Sequence, residues 1–243
     1  MKKILFTGAA VLAFCAQTFA ADVPTRAPGY GPTTSVAAPT FTWTGLYIGG
    51  NLGGLIGKTD FTSPNLKFTH YPKGWLGGIQ GGFDWQTGMW VFGVQADYDW
   101  ADASAETNFA DGPAVGTTGR TKIKAVASVT GRLGIAIEQN LLYVKGGGAW
   151  VRDDFDQLVT ATGLAVASAS ATQTGGTIGA GWEYAFFSGW SGFIEYDYYF
   201  LNKKTLDFTT PGGAFAFIAD IEQSFHVIKG GINYRFNFGK FPY

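Results

Sequence analysis

The stretch KIKAVASVTGRLGIAIE, residues 122–138, decides the fold. Ile123, Ala125, Ala127, Val129, Gly131, Leu133, Ile135 and Ile137 take alternate positions, and Lys122, Lys124, Ser128, Thr130, Arg132 and Glu138 fall between them. Successive side chains of a strand point to opposite faces, so this order sends every charge one way. Helical winding would scatter the same charges around an axis. The segment reads as one long strand with an apolar face and a charged face.

The period recurs on both sides. Residues 89–100 set Trp90, Phe92, Val94, Ala96, Tyr98 and Trp100 against Gln95, Asp97 and Asp99. Residues 74–86 set Trp75, Ile79, Phe83 and Trp85 against Gln80, Asp84 and Gln86, and Thr87-Gly88 reads as the hairpin turn between the two. Residues 141–151 place Leu142, Val144 and Trp150 opposite Tyr143 and Lys145. Residues 173–185 place Ile178, Ala180, Trp182 and Tyr184 opposite Gln173, Thr177 and Glu183. Residues 190–200 oppose Ile194, Tyr196 and Tyr198 to Glu195 and Asp197. Residues 221–238 oppose Ile228, Ile232, Tyr234, Phe236 and Phe238 to Lys229, Asn233, Arg235 and Asn237. The Gly-rich segment 43–52 keeps Leu46, Ile48 and Leu52 on one face.

Eight strands result, with long connections at 53–73, 101–121, 152–172 and 201–220 and short ones at Thr87-Gly88, Gln139-Asn140 and 186–189. Beyond the first twenty residues no run of 18 apolar residues could form a spanning helix. In lipid every backbone polar group needs a partner, which leaves a closed barrel as the remaining membrane-spanning form. Even strand number with alternating short turns and long external loops is the pattern of outer-membrane barrels. The expected fold is an all-β, eight-stranded, antiparallel up-and-down transmembrane barrel. A soluble sandwich or lipocalin-like barrel has little use for strands this long.

Composition agrees. The 243 residues include 36 Gly, are 46% hydrophobic and 16% aromatic, and hold only 14% charged residues, with a formal net charge of -1. That balance excludes a nucleic-acid footprint, which needs a basic excess, and a disordered chain, which needs few apolar residues. Lys2 and Lys3, the apolar run 4–14 and the small residues around Phe19 read as a signal peptide over 1–20. The sole cysteine, Cys15, lies inside it. Residues 21–40, with Pro24, Pro28, Pro32 and Pro39, read as a linker, a plain spacer with a contact to peptidoglycan as the other use. The barrel domain is expected over 41–243.

The opening run Phe41-Thr42-Trp43-Thr44-Gly45-Leu46-Tyr47-Ile48-Gly49-Gly50-Asn51 resembles the first strand of the small outer-membrane β-barrel, or porin-like surface-antigen, family of alphaproteobacteria. The closing run around Lys229, Gly231, Tyr234 and Phe236 resembles the signal read by the barrel-assembly machinery. Such chains usually end on the terminal aromatic, whereas this one continues to Tyr243. The resemblance implies export to the outer membrane, with lipid and lipopolysaccharide as surroundings.

The interior carries the functional question, because an eight-stranded barrel is just wide enough for side chains to fill. Parity sends Asp84, Asp97, Asp99, Glu138, Glu183, Glu195 and Asp197 inward with Lys122, Lys124, Arg132, Lys145, Lys229 and Arg235, a near balance of charge. Confined charges must pair, so an ion-paired plug is the expected interior. A narrow channel is the second reading, since Gly78, Gly82, Gly93, Gly179, Gly181 and Gly231 leave inward space. A loop-mediated receptor or adhesin is the third. Trp75, Trp85, Trp90, Trp100, Trp150, Trp182, Trp190 and Tyr198 suit an interfacial girdle.

No enzyme, cofactor or metal is expected. The two histidines, His70 and His226, lack an orienting third group, although Ser224 lies near His226. Asp153, Asp154 and Asp156 could bridge a divalent cation to lipopolysaccharide phosphates, and Lys203 and Lys204 could meet an anionic head group. A monomer is expected.

Overall fold

The computed structural model describes residues 41–236, apart from 64–65, 110–114 and 188. The signal peptide, the linker and the tail at 237–243 lie outside the described residues. The strands are β1 (Gly45–Ser63), β2 (Leu66–His70), β3 (Lys73–Thr87), β4 (Trp90–Asn108), β5 (Thr117–Ile137), β6 (Asn140–Val159), β7 (Ala165–Phe187), β8 (Trp190–Leu201), β9 (Lys204–Thr209) and β10 (Phe215–Phe236). The strands pair antiparallel in the order β2-β1-β3-β4-β5-β6-β7-β8-β10-β9, and β1 closes on β10 from Leu46↔Phe236 to Thr62↔Asp220. Eight staves form the ring. β2 and β9 are the upper parts of staves interrupted at Tyr71-Pro72 and at Asn202-Lys203. Proline cannot donate to a ladder, and the Pro72 carbonyl still accepts from Gly57 N at 2.8 Å, so this stave breaks without opening the sheet.

Side chains alternate around the ring. Leu46, Ile48, Ile79, Phe83, Val94, Val129, Leu133, Val144, Ile194 and Ile232 lie exposed on the outer face. Asp97, Arg132, Lys145, Glu195 and Lys229 are buried inside. A soluble protein would reverse this arrangement.

The structure corrects four expectations. Most of the long connections are strand. β6 reaches Val159 and β7 begins at Ala165, because inward Phe61, Phe155, Phe208 and Ile221 pack into an apolar cluster that holds the staves together beyond the lipid-facing band. The hairpin turns are displaced by one residue, to Gly88-Met89 and Glu138-Gln139, with Thr87↔Trp90 and Ile137↔Asn140 paired. Glu138 is therefore an exposed turn residue and not an interior acid. Lys122 and Lys124 also leave the interior. A β-bulge at Lys124 inserts one residue between Ile123 and Ala125, which inverts the parity above it. Ile123 is fully buried, while Lys122 meets Asp102 at 3.1 Å and Lys124 pairs with Asp154, all outside.

Glu138 has φ 55, the left-handed region that costs a non-glycine residue free energy. Glu138→Gly is expected to raise stability by about 0.5–1 kcal/mol. Urea unfolding in lipid vesicles reads the change, and a loss of stability would mean that the Glu138 side chain is held by contacts worth more than the strain.

Candidate functional site: the barrel interior

From the short-turn end the interior begins with aromatic rings. Trp43 is completely buried, lies edge-on to Phe41 at 4.9 Å, and receives Arg235 over its face at 5.2 Å. Its local geometry needs Gly45, whose φ of 146 suits only glycine and whose Cβ would sit 2.6 Å from the Phe236 carbonyl. This turns the opening motif inward, with Trp43 and Tyr47 as interior residues.

Above lies an arginine group. Arg235 Nη2 donates to Asp84 Oδ2 at 2.9 Å, Arg132 Nη1 to the same oxygen at 3.4 Å, and Arg132 Nη2 to Glu183. Ser191 and Asn233 also donate to Glu183 Oε1, at 2.6 and 3.0 Å. Charge-assisted bonds of this kind are the stronger ones. Arg132 stacks on the Tyr143 ring at 3.7 Å.

A lysine group follows. Lys145 donates to Glu195 Oε1 at 2.7 Å and lies 3.3 Å from Asp197 and 3.6 Å from Asp97. Lys229 donates to Asp97 Oδ1 at 2.9 Å and reaches Glu195 at 3.3 Å, Asp99 at 3.5 Å and Asp197 at 3.6 Å. Two tyrosines tie the groups together. Tyr143 OH donates to Glu195 Oε2 at 2.8 Å; Tyr47 OH donates to Gln95 Oε1 at 2.7 Å and accepts from Arg132 at 3.0 Å.

With Lys122, Lys124 and Glu138 moved outside, the near balance of charge expected from parity does not hold. Asp84, Asp97, Asp99, Glu183, Glu195 and Asp197 face Arg132, Lys145, Lys229 and Arg235, and the deficit falls in the lysine group. The inward glycines do not leave open space either. A Cβ at Gly82 would strike Tyr47, at Gly93 Asp84, at Gly179 Asp197 and at Gly181 Tyr143, because large neighbours already lean into those positions.

Sequence reasoning missed the next layer. Leu55, Leu76, Ile123, Val151, Tyr199, Phe225 and Val227 form a buried apolar cluster across the lumen above the lysines. Tyr199 and Phe225 stack at 4.7 Å within it. The signal was present in parity, since Phe225 and Val227 share the face of Lys229. Higher still, Gln173 Nε2 donates to Asp153 Oδ2 at 3.3 Å and to Gln223 Oε1 at 3.2 Å. Outward Arg152, Lys124 and Asp102 mark this level as beyond the lipid-facing band. Burial pushes the Asp153 carboxyl up to about 7, with the neighbouring charge of Asp154 adding to the rise.

Asp153 and Asp154 point to opposite faces, so the acidic trio does not gather as one cation site. Asp154 is outside with Lys124 and accepts from Ser170 at 2.9 Å. Lys203 pairs with Asp220 at 2.7 Å, and Lys204 donates to the Thr172 carbonyl at 2.8 Å. His226 is exposed, with Nδ1 2.7 Å from the Tyr196 hydroxyl. Buried His70 has Nδ1 2.7 Å from Thr121 Oγ1, and burial holds its imidazole down at about 4.

The outer aromatics fall at two levels. Trp85, Trp90, Trp182 and Trp190 lie towards the short turns, with Trp190 edge-on to Tyr234 at 5.0 Å. Trp75, Trp100, Trp150 and the half-buried Tyr198 lie towards the long connections.

A closed antiparallel ring with an apolar outer belt and a charged lumen defines an outer-membrane β-barrel. The family model described as outer membrane protein beta-barrel domain matches residues 6–236, and the chain belongs to that family. It is an outer-membrane protein. It is 32% identical over 260 residues to the 31 kDa outer-membrane immunogenic protein of Brucella melitensis, covering 97% of this chain and all of the relative, and equally to its counterpart in Brucella suis. Among solved structures, the outer membrane protein OprG of Pseudomonas aeruginosa is similar with a TM-score of 0.48 at 10% identity, covering 79% of this chain and 96% of that one. The outer membrane protease OmpT of Escherichia coli gives 0.49 at 13%, covering 83% and 100%.

Proposed function

We propose that this barrel serves the envelope as a structural and surface-presenting element, with its lumen closed. The observation that carries this reading is the unbroken succession of Trp43, the arginine group, the lysine group and the Tyr199–Phe225 layer across one narrow barrel. Such a lumen has two charged layers that resist apolar solutes and an apolar layer that resists ions. The name of the Brucella relatives, immunogenic outer-membrane proteins, fits a chain that displays long β extensions outside the cell. The two aromatic levels anchor the barrel at the lipid interfaces. Lys229, Gly231, Tyr234 and Phe236 serve the assembly machinery, and the linker acts as a spacer towards peptidoglycan. No cofactor or catalytic role belongs to this reading.

The excess of carboxyls in the lysine group favours a second reading, a narrow cation path. Single-channel recording separates the two. Refolded protein, shown to be folded by heat-modifiable gel migration, is expected to leave a planar bilayer silent. Steady steps that depend on the protein would replace the closed reading with the channel.

A further inference from the structure

The end of the barrel opposite the short turns holds a cavity of about 290 Å³. Its wall is built from phenylalanines carried on separate staves and connections: Phe61, Phe68, Phe109, Phe155, Phe208 and Phe217. Phe61 and Phe68 stack at 4.6 Å, Phe208 and Phe217 stack at 4.5 Å, and Phe155 stands edge-on to Phe61 at 5.5 Å. These rings hold one another, so the cavity is shaped before anything enters it. Its volume is near the lower end of small-molecule sites, and a smaller apolar cavity of roughly 150 Å³ accommodates benzene.

His70 stands in this aromatic wall, and Ser63, Arg120, Asp156 and Gln157 complete the polar part of the lining. His70 is 2% exposed, its Nδ1 is occupied by Thr121, and its Nε2 has no hydrogen-bond partner among the described residues. A buried polar atom left unpaired costs free energy, which a ligand hydroxyl would recover. A hydroxyl both donates and accepts, so it suits His70 in either neutral tautomer. Arg120, also at the cavity, lies 3.3 Å from Glu106, and Asp156 lines the same wall, so an acidic ligand would meet carboxylates there.

We infer that this cavity is a binding site for a small neutral aromatic alcohol, whose ring packs among the phenylalanines and whose hydroxyl meets His70 Nε2. Edge-on and offset ring contacts supply the affinity, and the hydroxyl supplies the discrimination against a plain hydrocarbon. The site stands apart from the charged groups of the lumen and holds whether or not the barrel conducts.

The test uses the refolded chain in lipid nanodiscs, with 4-fluorophenol and 4-fluorotoluene as probes followed by fluorine NMR and empty nanodiscs as the partition control. Saturable binding of 4-fluorophenol above the control is expected. Ala219→Trp, which fills the cavity from a buried wall position, should weaken it by about tenfold or more. His70→Phe should weaken 4-fluorophenol by about five- to tenfold while moving 4-fluorotoluene by less than about twofold. Heat-modifiable migration verifies the folding of both variants. No saturable excess over empty discs, unchanged binding in folded Ala219→Trp, or equal loss of both probes in His70→Phe would each overturn the assignment.

Discussion

Lys229→Ala is expected to remove about 3–5 kcal/mol of stability, the cost of stranding buried charges by deleting one partner. Among the described residues, Lys229 is the one side chain in contact with all four carboxyls of its group: Asp97, Glu195, Asp99 and Asp197, between 2.9 and 3.6 Å. Its own side chain is completely buried. Without it, Lys145 still reaches Asp97, Glu195 and Asp197, but the contact given to Asp99 is lost. The charge deficit of the group then deepens beneath the buried apolar layer of Tyr199 and Phe225. Adding Asp97→Asn removes one stranded charge while keeping its shape, so the double variant should recover part of the loss, as coupled neighbours do. Urea unfolding of vesicle-reconstituted protein measures both steps. A loss below about 1 kcal/mol would mean that the lysine group is hydrated like an exposed ion pair, and the closed lumen would go with it.

The strands that carry this network were legible because their alternation is strict where lipid lies on one side. Trp90 to Trp100 and Lys229 to Arg235 allow no other pairing of faces, and the inward placement of Asp84, Asp97, Arg132, Lys145, Glu183, Glu195 and Arg235 follows from them. Beyond the lipid-facing band both faces meet water or a mixed interior, and the constraint relaxes. There the bulge at Lys124 passes unseen, since a run of alternating residues carries no mark of a skipped step. That single residue moves two lysines out of the lumen. Trp43 and Tyr47 escaped for a different reason. Aromatics suggest a lipid-facing role in such a chain, yet these two have partners inside, in Arg235 and Arg132, whereas Tyr143 shares the face of Lys145 in the sequence itself. The phenylalanine cavity lay in segments rich in Gly, Thr and Ala, where turn composition masks a few widely spaced rings that only the closed ring brings together.

The second large effect is expected at Asp153, where asparagine should stabilise the protein by roughly 2–4 kcal/mol at pH 8 and by almost nothing at pH 4. Asp153 is fully buried between the two apolar clusters, accepts from Gln173 at 3.3 Å through Oδ2, and leaves Oδ1 unpartnered among the described residues. Burial raises its pKa from 3.8 to about 7. The folded chain therefore binds this proton more tightly than the unfolded chain does. Its favourable contribution is complete below about pH 4, falls as pH rises towards 7, and stays lost above that. Asparagine keeps an acceptor for Gln173 and never takes on the charge, so the variant lacks this slope. His70 acts with the opposite sign, because an imidazole held at about 4 costs stability as pH falls from 6.5. Both chains carry His70, and subtracting the wild-type curve from the Asp153→Asn curve cancels it. Urea unfolding at pH 4, 6 and 8, with the pH values chosen to span that window, gives the difference directly. An advantage of equal size at pH 4 and pH 8 would mean that asparagine improves packing and that the buried carboxyl is not the titrating group.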